Sequence, residues 1–279
     1  MVLKSYAKIN LTLSVNKKLK SGLHNIQSIY CLIDLHDKIY LKKIKKKHFD
    51  QVSFTGPFSK DINKSNNSVK KVLNAMRKNK IINDYYSVKV NKQIPVFAGL
   101  GGGTSNAATL FDHLTKRRFN KKIFDKITKE VGSDFRLFSF NLGFQKDLKS
   151  VVKLNKKHRF YFLLVFPKIK SSTKSVYLRL KKYSKLKIFK KSNFHSKKDF
   201  INYLKNSKND LQLVVEKKHP IIKSLLKNIS SVKGCHLSRM TGSGSSCYGV
   251  FKNEKNAKIA LKKLKKKFPN FLFFTAKSI

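Results

Sequence analysis

Residues 95–114, PVFAGLGGGTSNAATLFDHL, combine the residue types that bind phosphate groups. Four glycines fall within positions 99–103, and the hydroxyl side chains of Thr104 and Ser105 follow them. Glycines let backbone N–H groups approach an anion closely, and a helix start adds about half a positive charge. Apolar residues at helical spacing up to Leu114 predict a helix that begins near Ser105, with Thr104 or Ser105 as its N-cap. A plain turn needs only one or two glycines, so the stretch predicts a phosphate-binding loop.

The order of residues in this loop excludes two common nucleotide-binding patterns. No Gly-Lys-Ser/Thr follows the glycines, as a P-loop requires. Thr104 stands where the dinucleotide pattern G-x-G-x-x-G needs its last glycine. The loop therefore predicts phosphate binding by a different type of glycine-rich turn.

The chain is strongly basic, with 63 Lys and Arg against 14 Asp and Glu and a formal net charge of +49. Such a charge attracts polyanions. The lysines are spread along the whole chain among Phe and Ile. This distribution favours a general bias of the composition towards lysine, with the lysines on solvated surfaces, over a polyanion-binding segment. We therefore expect a phosphate-handling enzyme with no specific nucleic-acid partner, and only weak, salt-sensitive binding to nucleic acid.

Length and apolar segments point to a cytoplasmic protein without a membrane partner. The 279 residues, 41% of them hydrophobic, are enough for one large domain or two modest ones. The longest apolar run, residues 160–166, is far shorter than the roughly 20 residues of a membrane-spanning helix. Lysines interrupt the N-terminal segment, so it does not resemble a signal peptide. Cys31, Cys235 and Cys247 form no C-x-x-C pair, which predicts reduced thiols and no metal site.

Strand-like and helix-like segments alternate along the chain. Period-two patterns predict strands, and apolar residues at i, i+3, i+4 and i+7 predict helices. One helix follows an N-cap at Asn67 or Ser68, and another ends at Gly132. Segments with the strand pattern are residues 6–15, 26–44, 85–94, 159–166, 246–251 and 270–277, and those with the helix pattern are 65–79, 107–114, 122–132, 219–229 and 256–268. The mixture predicts an α+β (mixed α/β) protein, with a break near residues 150–160 between two domains, 1–155 and 156–279.

The glycine-rich stretch resembles the phosphate loop of the GHMP kinases, P-x-x-x-G-L-G-G-G-S-S-N-A-A. Four further segments resemble motifs of the same family and occur in the same order. They are YAKINLTLSVNKKLKSGLHNIQSIYCLIDLHDKI, GSDFRLF, NDLQLVV and LSRMTGSGSSCYGVF. The ordered set runs from residue 6 to residue 251, so the resemblance covers nearly the whole chain.

The resemblance implies a two-domain architecture and an ATP-dependent alcohol kinase. An N-terminal, ribosomal-protein-like domain over residues 1–155 would bind ATP, and a C-terminal, ferredoxin-like domain over residues 156–279 would lie on the substrate side. ATP and Mg²⁺ are the implied cofactors. The long SNAA form of the loop resembles the branch of the family that phosphorylates the 2-hydroxyl of a cytidyl-linked polyol in isoprenoid precursor biosynthesis.

The resemblance also implies a catalytic pair, Lys8 and Asp134. Phosphoryl transfer depends on positioning and on charge stabilisation, and a carboxylate beside the hydroxyl can accept its proton. Asp134 is one of only 14 acidic residues, and Lys8 interrupts an apolar alternating strand between Ala7 and Ile9. From the residues alone, Lys8 is one lysine among many and Asp134 is equally a helix N-cap.

The remaining site residues follow from the matched motifs. The resemblance assigns ATP binding to Asn67 and to the loop residues Pro95, Val96, Phe97, Ala98, Gly99, Leu100, Gly101, Gly102, Gly103, Thr104 and Ser105. It assigns substrate binding to Asn10, His24, Thr173, Thr241, Gly242 and Ser243. In this assignment His24 recognises the cytosine, although a lone histidine is more often structural.

Three segments depart from the family pattern. Leu23 replaces the aromatic residue that stacks on cytosine, and Tyr30 or Tyr177 is a candidate substitute. Arg136 adds a cation two residues from Asp134, where it would be able to hold phosphate. Residues 141–150 have lost a glycine and a glutamate, which predicts a reshaped turn.

Two other functions remain open at this stage. A different small alcohol, such as homoserine, would be the acceptor if Leu23 abolishes base recognition. A basic RNA-binding protein built on a kinase-derived fold would use the +49 charge directly. For the kinase we expect a monomer or a weak homodimer.

Overall fold

The computed structural model describes residues 1–45, 48–155, 159–187 and 196–279. The chain folds into two compact units, each assembled from segments that alternate along the sequence. The first unit contains Met1–Lys8, Leu35–Val96 and Gly101–Ser139, and the second contains Ile9–Asp34, Phe97–Leu100 and Phe140–Ile279. The domain boundary after residue 155 stays a prediction.

Strands and helices are mixed throughout the described residues. The strands are β1 Val2–Asn10, β2 Ser14–Lys18, β3 His24–Ile44, β4 Gln51–Thr55, β5 Tyr85–Asn91, β6 Leu142–Gln145, β7 Val151–Lys153, β8 Tyr161–Phe166, β9 Cys235–Met240, β10 Cys247–Phe251 and β11 Leu272–Lys277. The helices are α1 Ser68–Lys78, α2 Gly102–Thr115, α3 Lys121–Val131, α4 Thr173–Leu178, α5 Lys197–Lys205, α6 Gln212–Lys218, α7 Pro220–Ser230 and α8 Glu254–Lys267, with a 3₁₀ helix at Ser133–Ser139. Within the described parts of the chain, no helix is long and apolar enough to span a membrane.

In the first unit, three helices pack together beside a small mixed sheet. Strand β5 pairs antiparallel with the end of β3, from Lys38 opposite Asn91 to Ile44 opposite Tyr85, and parallel with β4. Helix α1 contacts both α2 and α3. A cluster of aromatic rings joins α2, α3 and the 3₁₀ helix, and its members are Phe111, Phe119, Phe124 and Phe135.

In the second unit, a four-stranded antiparallel sheet has the order β11-β8-β10-β9. With helices between β8 and β9 and between β10 and β11, this is the β-α-β-β-α-β arrangement of a ferredoxin-like fold, as predicted. The apolar run of β8 is almost wholly buried. Helices α7 and α8 bury the apolar stripes that the sequence spacing predicts, formed by Ile222, Leu225, Leu226, Ile229, Ala257, Ala260 and Leu264. In the same unit, the beginning of β3 pairs with β2 and β6.

The helix ends test the predictions made from local residues. Asn67 caps α1, since its side chain accepts a hydrogen bond from the Lys70 N–H, and α3 ends at Gly132, as predicted. The predicted start of α2 near Ser105 is wrong. Helix α2 begins at Gly102, and its N-cap is Gly101 in the left-handed region at φ +69° without a side-chain cap. Glycine adopts this conformation without a steric penalty, so the helix begins inside the glycine run.

A buried carboxylate holds together the elements around the start of α2. Asp37 Oδ1 accepts hydrogen bonds from the backbone N–H groups of Gln93 and Ile94, at 2.7 and 2.9 Å. Asp37 Oδ2 accepts from Asn106 Nδ2 at 2.9 Å and pairs with the Lys92 ammonium. Asp37, Lys92 and Asn106 are each at most 2% exposed. One carboxylate therefore links β3, the residues after β5 and helix α2.

We expect Lys92→Met to lower the free energy of unfolding by about 3–5 kcal/mol, because it leaves Asp37 as a buried charge without its cation. Urea unfolding followed by circular dichroism measures this loss. The matched control is Lys43→Met, whose pair with Asp84 lies at the surface, where water screens the attraction. An equal loss in the two variants would contradict the central role of the buried pair.

Candidate active site

Lys8 and Asp134 form an ion pair in the first unit. Lys8 lies in the last part of β1, where residues 7–10 are all buried, and its Nζ lies 3.4 Å from Asp134 Oδ2. The Lys8 side chain is 6% exposed, whereas that of Asp134 is 40% exposed. Asp134 belongs to the 3₁₀ helix that follows α3 rather than capping a longer helix. The arrangement gives a carboxylate that solvent or a ligand can reach and a buried cation that stabilises its charge.

Gly101 brings the start of α2 against this pair. A Cβ atom at position 101 would lie 3.0 Å from Phe138 Cζ and 3.1 Å from Lys8 Cγ. A side chain at position 101 would crowd these two neighbours, in addition to requiring a left-handed backbone. The absence of a side chain lets the backbone N–H groups at the helix start lie beside the Lys8–Asp134 pair, where they would face a phosphate group.

Two helix N-termini meet at the glycine loop. A Cβ atom on Gly103 would lie 3.3 Å from Ser68 Oγ, at the first residue of α1, and one on Gly102 would lie 3.3 Å from Lys92 Nζ. Both helix starts carry partial positive charge, so their charges add at one place. The binding of ATP phosphates at this place stays a prediction. Asn67, predicted to contact ATP, adjoins the same place and also donates through Nδ2 to the carbonyls of residues 63 and 64.

The two hydroxyl residues of the loop lie inside α2, and Ser105 is buried against β1. Ser105 Oγ donates to the Tyr6 carbonyl at 2.7 Å and accepts from Ser5 Oγ at 2.8 Å. Its N–H is bonded to the Gly101 carbonyl. Ser105 thus positions α2, while Thr104 is half-buried in the first turn. Their predicted contacts to ATP stay predictions.

Within the second unit, Ala98 and Gly99 of the loop pack against the glycine-rich turn that begins at Thr241. A Cβ atom on Gly99, at φ +74°, would lie 2.6 Å from the Thr241 carbonyl and 3.0 Å from that of Gly244. The Ala98 carbonyl accepts a hydrogen bond from the Ser246 N–H at 3.4 Å. Phe97 is 55% exposed at φ +57°. A left-handed backbone is unusual for a bulky residue, and strain of this kind clusters at binding sites.

Five of the predicted substrate residues lie together in the second unit. The Asn10 N–H donates to Thr241 Oγ1 at 3.0 Å, and Asn10 Oδ1 lies 3.4 Å from a Cβ position on Gly242. Thr173 Oγ1 and Ser243 Oγ share a hydrogen bond of 2.9 Å. The structure therefore brings one strand end, one turn and the start of α4 to the same place.

His24, the sixth predicted substrate residue, stacks on Tyr177. The ring centroids are 4.8 Å apart with an interplanar angle of 28°. Tyr177 is four residues after Thr173 in α4, and residues at this spacing share a helix face. Tyr30, the other candidate to replace the missing aromatic, is fully buried and packs against Gly143, so it is excluded. Leu23 itself is 52% exposed.

Two findings around the site were not predicted correctly from sequence. Arg136 pairs with Asp125 at 2.8 Å and lies over the Phe124 ring, which argues against the predicted phosphate role. Asp37 and Lys92 were missed as supports of the loop. A signal existed, because Asp37 is one of few acidic residues and lies in an apolar alternating segment.

Comparison with known proteins confirms the resemblance carried by the motifs. Residues 186–270 match the model of the GHMP kinases C-terminal family. The chain is 36% identical to a 4-diphosphocytidyl-2-C-methyl-D-erythritol kinase of Pelagibacter ubique, over 99% of this chain and 98% of that protein. A kinase of the same name from Wolbachia pipientis is 33% identical, over 96% of this chain and 95% of that protein.

Solved structures show the same fold. A crystal structure of 4-(cytidine 5'-diphospho)-2C-methyl-D-erythritol kinase aligns with a TM-score of 0.74 and 19% identity, over 99% of each chain. The homoserine kinase of Cytophaga hutchinsonii aligns with a TM-score of 0.65 and 16% identity, over 100% of this chain and 94% of that one. The predicted mixed α/β fold of GHMP kinase type is confirmed.

We expect the pKa of His24 to lie below the ordinary value of 6.5, because burial disfavours the imidazolium ion and the Lys18 ammonium repels it. The ring is then neutral at pH 7, with one donor and one acceptor nitrogen. An NMR titration of the His24 ring protons, assigned with His24→Gln, measures this pKa. Lys18→Ala should raise it without restoring 6.5, since the burial remains. A midpoint at or above 6.5 in the unsubstituted protein would contradict the prediction.

Proposed function

Because this chain belongs to the 4-diphosphocytidyl-2-C-methyl-D-erythritol kinases within the GHMP kinase family, we propose that it transfers the γ-phosphoryl group of ATP to the 2-hydroxyl of 4-diphosphocytidyl-2-C-methyl-D-erythritol. The single observation that carries the proposal is the Lys8–Asp134 pair, 3.4 Å apart and beside the start of α2. A kinase of this type uses an accessible proton acceptor next to a phosphate-binding loop, and the accessible Asp134 carboxylate beside the start of α2 supports the proposal.

In the proposed reaction the chain positions the reactants and moves one proton. The N–H groups from Gly101 to Gly103 hold the nucleotide phosphates, supported by the charges of two helix starts. Asp134 accepts the proton of the 2-hydroxyl as the new bond forms. The buried Lys8 ammonium orients Asp134 and stabilises the negative charge that gathers in the transition state.

Magnesium fits this site as an ion held mainly by the nucleotide. Mg²⁺ is commonly bound through one or two carboxylates together with phosphates and water. No group of three or more His, Cys, Asp or Glu side chains suited to a metal occurs among the described residues. The ion would therefore be held through the ATP phosphates and water, which leaves the Asp134 carboxylate as the proposed proton acceptor. When bound, Mg²⁺ would neutralise the charge of the ATP phosphates.

The second unit supplies the proposed substrate contacts. Asn10, Thr173 and the turn from Thr241 to Ser243 would hold the polyol end, while His24 and Tyr177 would bind the cytosine. We further propose residues 1–155 as the ATP-binding domain and residues 156–279 as the substrate-side domain. A cytoplasmic monomer or weak homodimer in isoprenoid precursor biosynthesis, with no specific nucleic-acid partner, completes the proposal.

The competing functions have less support. A homoserine or other small-alcohol kinase has no use for the His24–Tyr177 stack, which suits a planar base. An RNA-binding role would use the +49 charge, but the lysines are spread along the sequence rather than gathered in a basic tail. A substrate panel decides the first alternative. For the second, RNA binding that persists at physiological salt with sequence preference would favour it.

We expect Asp134→Asn to lower kcat by about 10²- to 10⁴-fold, because the amide cannot accept the hydroxyl proton. The assay couples ADP release to ATP and the cytidyl substrate, and the KM for ATP should change little. Asp61→Asn, at an exposed carboxylate in the same unit, is the matched control and should retain activity. No turnover by the unsubstituted protein, or equal turnover by Asp134→Asn, would refute the proposed function.

A further inference from the structure

Tyr183 is an exposed aromatic residue that lies in the His24 cluster of the second unit. Its ring centroid is 6.1 Å from that of His24, with an interplanar angle of 37°, and its exposed fraction is 45%. Tyr177 stacks on the same imidazole at 4.8 Å. His24 therefore has two tyrosine rings as neighbours, beside the position where Leu23 provides no aromatic face.

The segment that follows Tyr183 is tied to the hairpin formed by β2 and β3. The Ser184 N–H donates to the Val15 carbonyl at 2.8 Å. Asn16 Nδ2 donates to the carbonyls of Ser184 and Lys185, at 3.1 and 3.3 Å. These bonds begin at the residue next to Tyr183, so they fix the backbone that carries its ring.

Gln27 provides the second attachment of this segment. Its Nε2 donates to the Lys187 carbonyl at 3.1 Å, and its Oε1 accepts from the Lys187 N–H at 2.8 Å. The primary amide thus bonds both backbone groups of one residue, as a neighbouring strand would. Gln27 is only 6% exposed, and a buried amide left without these bonds is costly. The attachment is part of the folded hairpin.

We propose that Tyr183 is a substrate-binding residue that supplies an aromatic face to the pyrimidine base of the cytidyl substrate, in place of the ring that Leu23 lacks. Gln27 and Asn16 act as positioning residues for it. The inference rests on the proposed function. An aliphatic side chain gives a base apolar contact, whereas an aromatic ring stacks on it for about 1–3 kcal/mol. A half-exposed tyrosine held beside the base-recognising histidine meets that requirement.

The first test is Tyr183→Ala, which should raise the KM for the cytidyl substrate by about 5- to 150-fold, the equivalent of one lost base stack. The kcat and the KM for ATP should change less than about twofold, since the ring does not contact the reacting atoms. Tyr183→Phe should retain the KM because it keeps the aromatic face. Tyr40→Ala is the matched control, at a tyrosine of similar exposure in the first unit.

A rescue experiment separates base stacking from a general structural effect. Leu23→Tyr in the Tyr183→Ala background should recover most of the lost affinity, because it returns a ring next to His24. Gln27→Leu should raise the same KM in the unsubstituted protein and have little further effect in Tyr183→Ala. An unchanged KM in Tyr183→Ala, with an active parent enzyme, would overturn this inference and leave the proposed function intact.

Calorimetry of cytidine diphosphate binding tests this inference independently of the proposed function. If the parent protein does not phosphorylate the cytidyl substrate, the proposed function fails. Weaker binding of cytidine diphosphate by Tyr183→Ala than by Tyr183→Phe would then still support the role of the ring in base recognition. Equal affinities, or no binding by any variant, would overturn that role.

Discussion

The carboxylate of Asp37 is the constraint on which the first unit depends. It accepts two backbone N–H groups after β5, binds the amide of Asn106 in α2 and pairs with the Lys92 ammonium. Burial lowers the pKa of Lys92, and the neighbouring carboxylate opposes this effect. A buried ion pair adds little net stability, but loss of one partner is severe. The network therefore fixes one position for the start of α2, where phosphate binding is predicted.

Glycines that let the backbone lie close to neighbouring residues are a second important feature of this chain. Gly99 and Gly101 both have left-handed backbones. A Cβ atom on Gly99 would clash with the Thr241 carbonyl, and one on Gly101 would crowd the Phe138 and Lys8 side chains. The two glycines serve different neighbours, since Gly99 lies on the turn at Thr241 and Gly101 lies on Lys8. Glycine carries an entropic cost in a folded chain. Here the two glycines let the loop backbone lie against the turn at Thr241 and against the Lys8 side chain.

At one departure from the family pattern, position 23, aromatic residues distant in sequence lie near the adjacent His24. Position 23 carries leucine, yet the rings of Tyr177 and Tyr183 lie near His24 because α4 and the segment after it fold back onto the β2–β3 hairpin. Arg136, in contrast, is neutralised by Asp125 within its own unit. A cation near a catalytic carboxylate is thus a poor guide to ligand binding until its own partner is known.

The sequence by itself determined the family, the phosphate loop and the catalytic pair as hypotheses, and two of the helix ends. These features depend on spacing within a few residues, such as the Asn67 cap and the helix-ending Gly132. Only the tertiary structure decided that α2 begins at Gly102, that Asp37 holds the loop and that Tyr183 adjoins His24. Asp37 and Asn106 are 69 residues apart in the chain. Contacts over such distances depend on the packing of whole elements, which local residue patterns do not encode.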